Sequence, residues 1–321
     1  MTLRYRDFIE RKGDPLQLEV LTGDLGLDQP IPDDEVASPG LALAGFVGRF
    51  SPRRLHVLGE TEITYLDSLD PDERRTRLEA FFAFDLSCLF ITKAQPVPDE
   101  LVELAKERHI PVFRTALKTA EFYRRIKPIV EEAFAPRTTV HGSMADVYGV
   151  GLLFMGGSGI GKSECVLDLV ERGHRLVADD VVMITRRGND MLMAQGHELA
   201  RHHMEIRGIG LVDIPTLFGV RAVRQQKRIE VVVELEPWDT AREMDRTGLS
   251  RQETTILDVT LPKVIVPLNP GKNLTVISEV VAMMHLLRFS GVDVAAAFNE
   301  RLIRRLQDKR GIQEYLQEDY E

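Results

Sequence analysis

The run Gly156-Gly157-Ser158-Gly159-Ile160-Gly161-Lys162-Ser163 is the part of this sequence best suited to chemistry. Its glycines let successive backbone N–H groups turn toward one phosphate, and a helix starting at its end adds favourable partial charge. In that geometry Lys162 neutralises the β- and γ-phosphates of ATP, and the Ser163 hydroxyl takes a place on Mg2+. The flanks are those the chemistry requires. An apolar strand over residues 151–155 runs in, and a helix over 163–171, apolar at Val166, Leu167, Leu169 and Val170, runs out and stops near Gly173. The competing reading is a glycine-rich turn that binds no nucleotide, and the match of strand, loop and helix disfavours it.

What is done with the nucleotide depends on other residues. The strand Leu176-Val177-Ala178 ends in Asp179 and Asp180, about one helix length after the loop. A βαβ crossover lays this strand beside the loop strand, with its carboxyl end at the phosphates. Consecutive strand residues face opposite ways unless the strand ends there, so one acid serves a metal or a histidine and the other an acceptor. His141 closes an earlier strand; taken alone it reads as a hydrogen-bonded structural residue. In Met204-Glu205-Ile206-Arg207-Gly208-Ile209-Gly210, Glu205 reads as a second Mg2+ ligand and Arg207 as a phosphate holder, or the two as a structural ion pair. Arg246 lies in a polar loop, and Pro267-Leu268-Asn269-Pro270-Gly271-Lys272 is a turn that presents Lys272 to an anion.

These residues need a scaffold, and the length of 321 residues suggests two domains. The first, residues 1–132, reads as a small α/β domain for assembly or regulation. Asp70 caps a helix over 71–84, a buried strand covers 86–91, a helix covers 99–108 and a short strand 110–113. Thr115 is the expected cap of a helix reaching residue 134. The stretch 133–137, with Pro136, marks the boundary to a catalytic domain over 133–321. There the strand runs are 138–141, 149–155, 175–184 and 229–235, and a turn at 187–190 joins a hairpin of 181–185 with 191–194. Amphipathic helices over 278–289 and 292–307 close the chain, packing on their own domain or docking a partner.

Composition removes several functional classes. With Lys plus Arg at 41 and Asp plus Glu at 50, the net charge of −9 argues against a nucleic-acid or anionic-membrane partner. The two cysteines, Cys88 and Cys165, form no CxxC, so neither a disulfide framework nor a zinc site is expected and a reducing cytoplasm fits. Residues 1–14 lack a signal-peptide apolar core, and no apolar run reaches membrane-spanning length. A GTPase needs a guanine-reading Asn/Thr-Lys-x-Asp, and the nearest string, Thr92-Lys93-Ala94-Gln95, ends in Gln and precedes the phosphate loop.

Taken together, His141, the phosphate loop with its flanks, Leu176-Val177-Ala178-Asp179-Asp180 and Met204 through Gly210 resemble the bifunctional HPr kinase/phosphorylase family over most of the chain. The resemblance implies a small N-terminal α/β domain followed by a P-loop kinase domain of the phosphoenolpyruvate-carboxykinase-like type with C-terminal helices. It implies a homohexamer, Mg2+, ATP or pyrophosphate as donor, and as acceptor a regulatory serine of the phosphocarrier protein HPr. Catalytic roles fall on His141, Lys162, the pair Asp179 and Asp180, and Arg246, with Mg2+ on Ser163 and Glu205. Residues 204–210 are tied to both reactions and 267–272 to dephosphorylation. In the implied mechanism Asp180, or else Asp179, takes the serine proton; in reverse, orthophosphate attacks phosphoserine and pyrophosphate leaves. A small-molecule P-loop kinase and a nucleotide sensor without turnover are the alternatives.

Overall fold

Short β-branched and aromatic runs become strands and the amphipathic runs between them become covering helices, in a computed structural model that describes residues 3–238, 252–269 and 271–318. The chain divides into two units, Met1–Ala135 and Pro136–Glu321, each with its own sheets and core.

The first unit holds strands β1 (Leu18–Val20), β2 (Val36–Ala37), β3 (Leu55–Leu58), β4 (Cys88–Ile91) and β5 (Val112–Thr115). Its helices are α1 (Tyr5–Leu16), α2 (Gly40–Leu43), α3 (Glu60–Ser68), α4 (Pro71–Phe82), α5 (Asp99–Glu107) and α6 (Thr119–Phe134). The sheet runs β1-β5-β4-β3-β2, parallel throughout except for β1. Every residue of β3 and β4 is buried, as a sheet covered on both faces requires. Leu58, Ile63, Leu78, Phe82 and Leu89 fill one side, and Tyr5, Phe8, Val57, Phe90 and Phe122 the other. Asp70 caps α4 as its position before Pro71 predicts, accepting from the backbone N–H groups of Asp72 and Glu73. Thr115 does not cap α6. It ends β5, where its hydroxyl donates to the Leu16 carbonyl at 2.7 Å and accepts from the Leu117 N–H, so the helix starts later, at Thr119.

The second unit begins with β6 (Arg137–His141), β7 (Ser143–Val147), β8 (Val150–Gly156), α7 (Lys162–Glu171), β9 (Arg175–Ala178), β10 (Val181–Arg187) and β11 (Met191–Gly196). It continues with β12 (His203–Ile206), β13 (Gly210–Asp213), α8 (Ile214–Phe218), β14 (Lys227–Arg228), β15 (Val231–Pro237), β16 (Gln252–Ile256), β17 (Val259–Leu268), α9 (Leu274–Phe289) and α10 (Val294–Glu318). Among the described residues, one sheet has the order β16-β17-β15-β8-β7-β9, a second β14-β11-β10-β6, and β12 and β13 form a sheet of two. Two expectations change here. Strand β9 does not lie beside the loop strand β8: β7 sits between them, antiparallel to both. β9 therefore runs parallel to β8 at one remove, and its carboxyl end still arrives at the phosphate-loop end of the sheet. Nor is 175–184 one strand. It breaks at Asp179-Asp180, where Asp180 takes a φ of +63° and the chain passes from the first sheet into the second.

The hairpin of β10 and β11 pairs from Val182↔Gly196 to Arg187↔Met191. Helix α9 starts four residues before the expected 278, because Asn273 caps it by accepting from the Val276 N–H. Among the described residues no single helix is long and apolar enough to cross a membrane.

Candidate active site

The parallel strands β8, β15 and β17 end together, with Gly156 level with Leu235 and Pro237 level with Leu268. Open α/β sheets bind ligands beyond such carboxyl ends. The phosphate loop occupies this edge. Gly156 must be glycine, since a Cβ there would stand 2.5 Å from the Leu235 carbonyl oxygen. Gly159 holds a φ of +75°, and a Cβ on it would stand 2.5 Å from Nη1 of Arg207, so that guanidinium lies directly on the loop.

Lys162 opens α7 and is buried. Its Nζ donates to the Gly156 and Gly157 carbonyls, each at 3.0 Å, and faces Nε2 of His141 at 3.5 Å. An ammonium only donates, so Nε2 accepts and the imidazole proton sits on Nδ1. Nδ1 lies 3.0 Å from Oδ1 of Asp180, and both His141 and Asp180 are more than half exposed. Lysine, histidine and carboxylate thus form one hydrogen-bonded line from the phosphate loop to solvent.

Asp179 has the opposite environment. It is buried, and its Oδ1 accepts from the Ser163 hydroxyl at 2.9 Å and the Ser143 hydroxyl at 2.5 Å. Its Oδ2 is buried with no partner among the described residues, and burial raises its carboxyl above the usual aspartate range.

Residues 4–129 match the family model described as HPr Serine kinase N terminus, and residues 132–302 the one described as HPr Serine kinase C-terminal domain. The chain belongs to the HPr serine kinase family. An HPr kinase/phosphorylase of Chloroherpeton thalassium is 45% identical over 294 residues, covering 89% of this chain and 86% of that one. One from Bacillus cereus is 41% identical over 305 residues, covering 95% and 97%. The solved Hpr(Ser) kinase/phosphatase of Coxiella burnetii is 32% identical, covers 51% of this chain and 99% of its own, and superposes with a TM-score of 0.46.

Against that family, the structure brings His141, Lys162, Ser163, Asp179, Asp180 and Arg207 to one edge. Glu205 is exposed on β12 between Met204 and Ile206, which are buried in the core that includes Val166 and Leu169 of α7. Gly208 and Gly210, both at positive φ, turn β12 into β13 and leave Ile209 exposed. Of the loop 267–272, Pro267 and Leu268 end β17, and Lys272 donates to the Pro267 carbonyl at 2.7 Å rather than reaching outward. Pro270 and Arg246 lie outside the described residues. The donor set fits a divalent cation: a serine hydroxyl at the start of α7 shares a carboxylate that has one buried oxygen without a partner among the described residues. Sequence reasoning missed Ser143. Its one signal was a small polar residue two positions after His141, and its role appears only because β7 inserts between β8 and β9.

Proposed function

We propose that this protein transfers the γ-phosphoryl group of ATP to a regulatory serine of an HPr-type phosphocarrier protein, and that the same site takes it back with orthophosphate. The observation that carries this reading is the hydrogen-bonded line Lys162–His141–Asp180, which joins a phosphate loop to a solvent-exposed carboxylate. A site for a small metabolite would bury its acceptor; an exposed base suits a serine presented on another protein.

In the forward direction Lys162 draws charge off the transferring group while the loop N–H groups hold the β-phosphate. His141 donates through Nδ1 to one oxygen of Asp180 and leaves the other free for the serine proton. The serine Oγ bonds to the γ-phosphorus, the bond from that phosphorus to the β–γ bridging oxygen breaks, and ADP departs. Ser163 and Asp179, with Glu205 from β12, would hold Mg2+, which when bound neutralises charge on the β- and γ-oxygens. Arg207 on the loop and Arg246 supply further positive charge. In reverse, an orthophosphate oxygen attacks the phosphoserine phosphorus, Asp180 returns its proton to the leaving serine oxygen, and pyrophosphate is the product. Pyrophosphate then serves as an alternative donor, and the loop 267–272 belongs to this direction.

The reading includes a cytoplasmic homohexamer without nucleic-acid or membrane partners. The exposed apolar side chains of α9 and α10, among them Val280, Met283, Phe289 and Phe298, are what such an assembly would cover. The test is intact mass of purified HPr incubated with the protein, Mg2+ and ATP, followed by added orthophosphate. One phosphate gained on serine, then lost with release of pyrophosphate, is the expected result. No gain with ATP still bound overturns the reading in favour of a sensor or of a different acceptor.

A further inference from the structure

Helix α9 is built inside out along part of its surface. Leu274, Ile277 and Val281 pack on the main core, as expected of a helix covering a sheet. The residues it buries most fully are Thr275, Ser278, Glu279 and Ala282. Val276, Val280, Met283 and Leu287 of the same helix face outward, each more than a third exposed. A helix arranged for stability alone would bury its valines and methionines and leave threonine, serine and glutamate in water.

The buried polar residues meet α7 and the turn that follows it. Thr275 donates to Asp168 at 3.3 Å, and the Ser278 hydroxyl lies 3.7 Å from the Cys165 thiol. Glu279 accepts from Arg172 through Nε at 2.8 Å and Nη2 at 2.7 Å, and its Oε1 lies 3.1 Å from Nε2 of His174. The Tyr148 hydroxyl approaches the same oxygen at 3.5 Å, and its ring stands edge-on to His174. Arg172 and His174 sit between α7 and β9, midway along the continuous stretch that carries Lys162 and Ser163 at one end and Asp179 and Asp180 at the other. α9 begins at Leu274, two residues after Lys272, and that first residue lies about 7.5 Å along the helix from Glu279 at 1.5 Å per residue.

Apolar seams tolerate sliding, whereas a carboxylate forked by a guanidinium and an imidazole fits in one register only. We propose that Glu279 is a positioning residue: through Arg172 and His174 it fixes the height of α9, and so of the loop 267–272, against the stretch that carries the phosphate loop and the two acids. The phosphate loop and acids are also held by their own sheets. Among the described residues of 267–272, the chain is tied to β17 before it and to α9 after it, with Leu268 touching the core and Lys272 folded back on Pro267. Loosening the seam therefore displaces that loop first. This rests on the assignment of the loop to the reverse reaction made above.

The experiment compares wild type with Glu279→Gln in both directions on HPr, separating kcat from KM, with ATP affinity and thermal unfolding measured alongside. Expected is a fall of tenfold or more in kcat for phosphorolysis, with less than a threefold change in kcat for the kinase direction and in ATP affinity. Arg172→Gln removes two of the hydrogen bonds from a half-exposed side chain; it is expected to shift the ratio the same way, and it carries the test if the glutamate variant does not fold. A parallel fall of both directions that tracks the loss of stability overturns the proposal, as does an unchanged ratio. Absence of phosphate transfer by wild type is a different outcome, and it removes the functional reading itself.

Discussion

Asp179 is expected to weaken the fold it sits in. Its Oδ2 is buried without a partner among the described residues, and Oδ1 already serves the hydroxyls of Ser143 and Ser163. Leaving a buried acceptor unsatisfied costs about 1–3 kcal/mol, more when it is charged. Asp179→Asn keeps Oδ1 for both serines and removes the charge, at the cost of a buried NH2 with two donors. A net gain of about 1–2 kcal/mol follows without Mg2+, or roughly 2–8 °C in Tm for a domain of this size. Because burial raises the folded-state pKa, the native protein holds this proton more tightly than the unfolded chain does. Wild-type stability therefore falls as pH rises from the ordinary aspartate range through the raised value, and the advantage of the variant opens across that window. Mg2+ reverses the order. At a hundredfold excess over Kd, wild type gains about 2.7 kcal/mol and the variant little. The assay is thermal unfolding of the full chain in chelator and in Mg2+, beside kinase turnover, which the variant should lose. A lower Tm for the variant in chelator together with an undiminished Mg2+ shift would refute the reasoning, leaving Asp179 a structural acceptor.

Asp180→Asn should abolish both directions by at least a hundredfold in kcat while ATP binds normally in a fluorescence titration; loss of one direction alone would rule out a shared acid and base. Gly159→Ala places a methyl 2.5 Å from Arg207 at a φ of +75°, so about 1–2 kcal/mol of backbone strain and a displaced guanidinium should weaken ATP binding about tenfold or more, read by calorimetry. In the first unit, His56 is buried with Nδ1 unpartnered among the described residues, and burial lowers its pKa from 6.5 to about 4. The native state then binds fewer protons than the unfolded one, so stability falls by about 3 kcal/mol as pH drops from about 6.5 to about 4. Urea unfolding across that range should show the slope in wild type and lose it in His56→Leu.

The phosphate loop, its flanking strand and helix, and the cap at Asp70 were legible because each is a local device whose spacing is its mechanism. The strand order was not. A βαβ rhythm predicts neighbouring strands, and nothing in residues 143–147 tells the reader that β7 will slip between β8 and β9. That insertion is what brings Ser143 to Asp179, so the missed residue and the missed topology are one error. The break at Asp179-Asp180 was concealed by the apolar residues on either side, which read as one strand over 175–184 while belonging to two sheets. The polar face of α9 escaped for a similar reason. Its threonine, serine and glutamate look like a solvated face until α7 is laid against them.

The break between the sheets also explains how two adjacent acids come to face different tasks. Along a regular strand their side chains would simply alternate. Here Asp180 adopts the left-handed region, its carbonyl accepts from the Gly142 N–H at 3.0 Å, and the Val181 N–H returns to the Asp179 carbonyl at 2.8 Å. Aspartate and asparagine enter that region more readily than other side chains, so Asp180→Asn preserves the turn while a β-branched replacement would strain it. The turn sends Asp179 inward to Ser163 and Asp180 outward to His141. Asp179 is poorly placed to serve as the base in its neighbour's stead. One oxygen is taken by two hydroxyls and the other is buried at the place proposed for the cation, so neither is open to a serine on another protein. Asp180 has the exposure and an imidazole behind it, which is why the proposed mechanism gives the proton transfer to it.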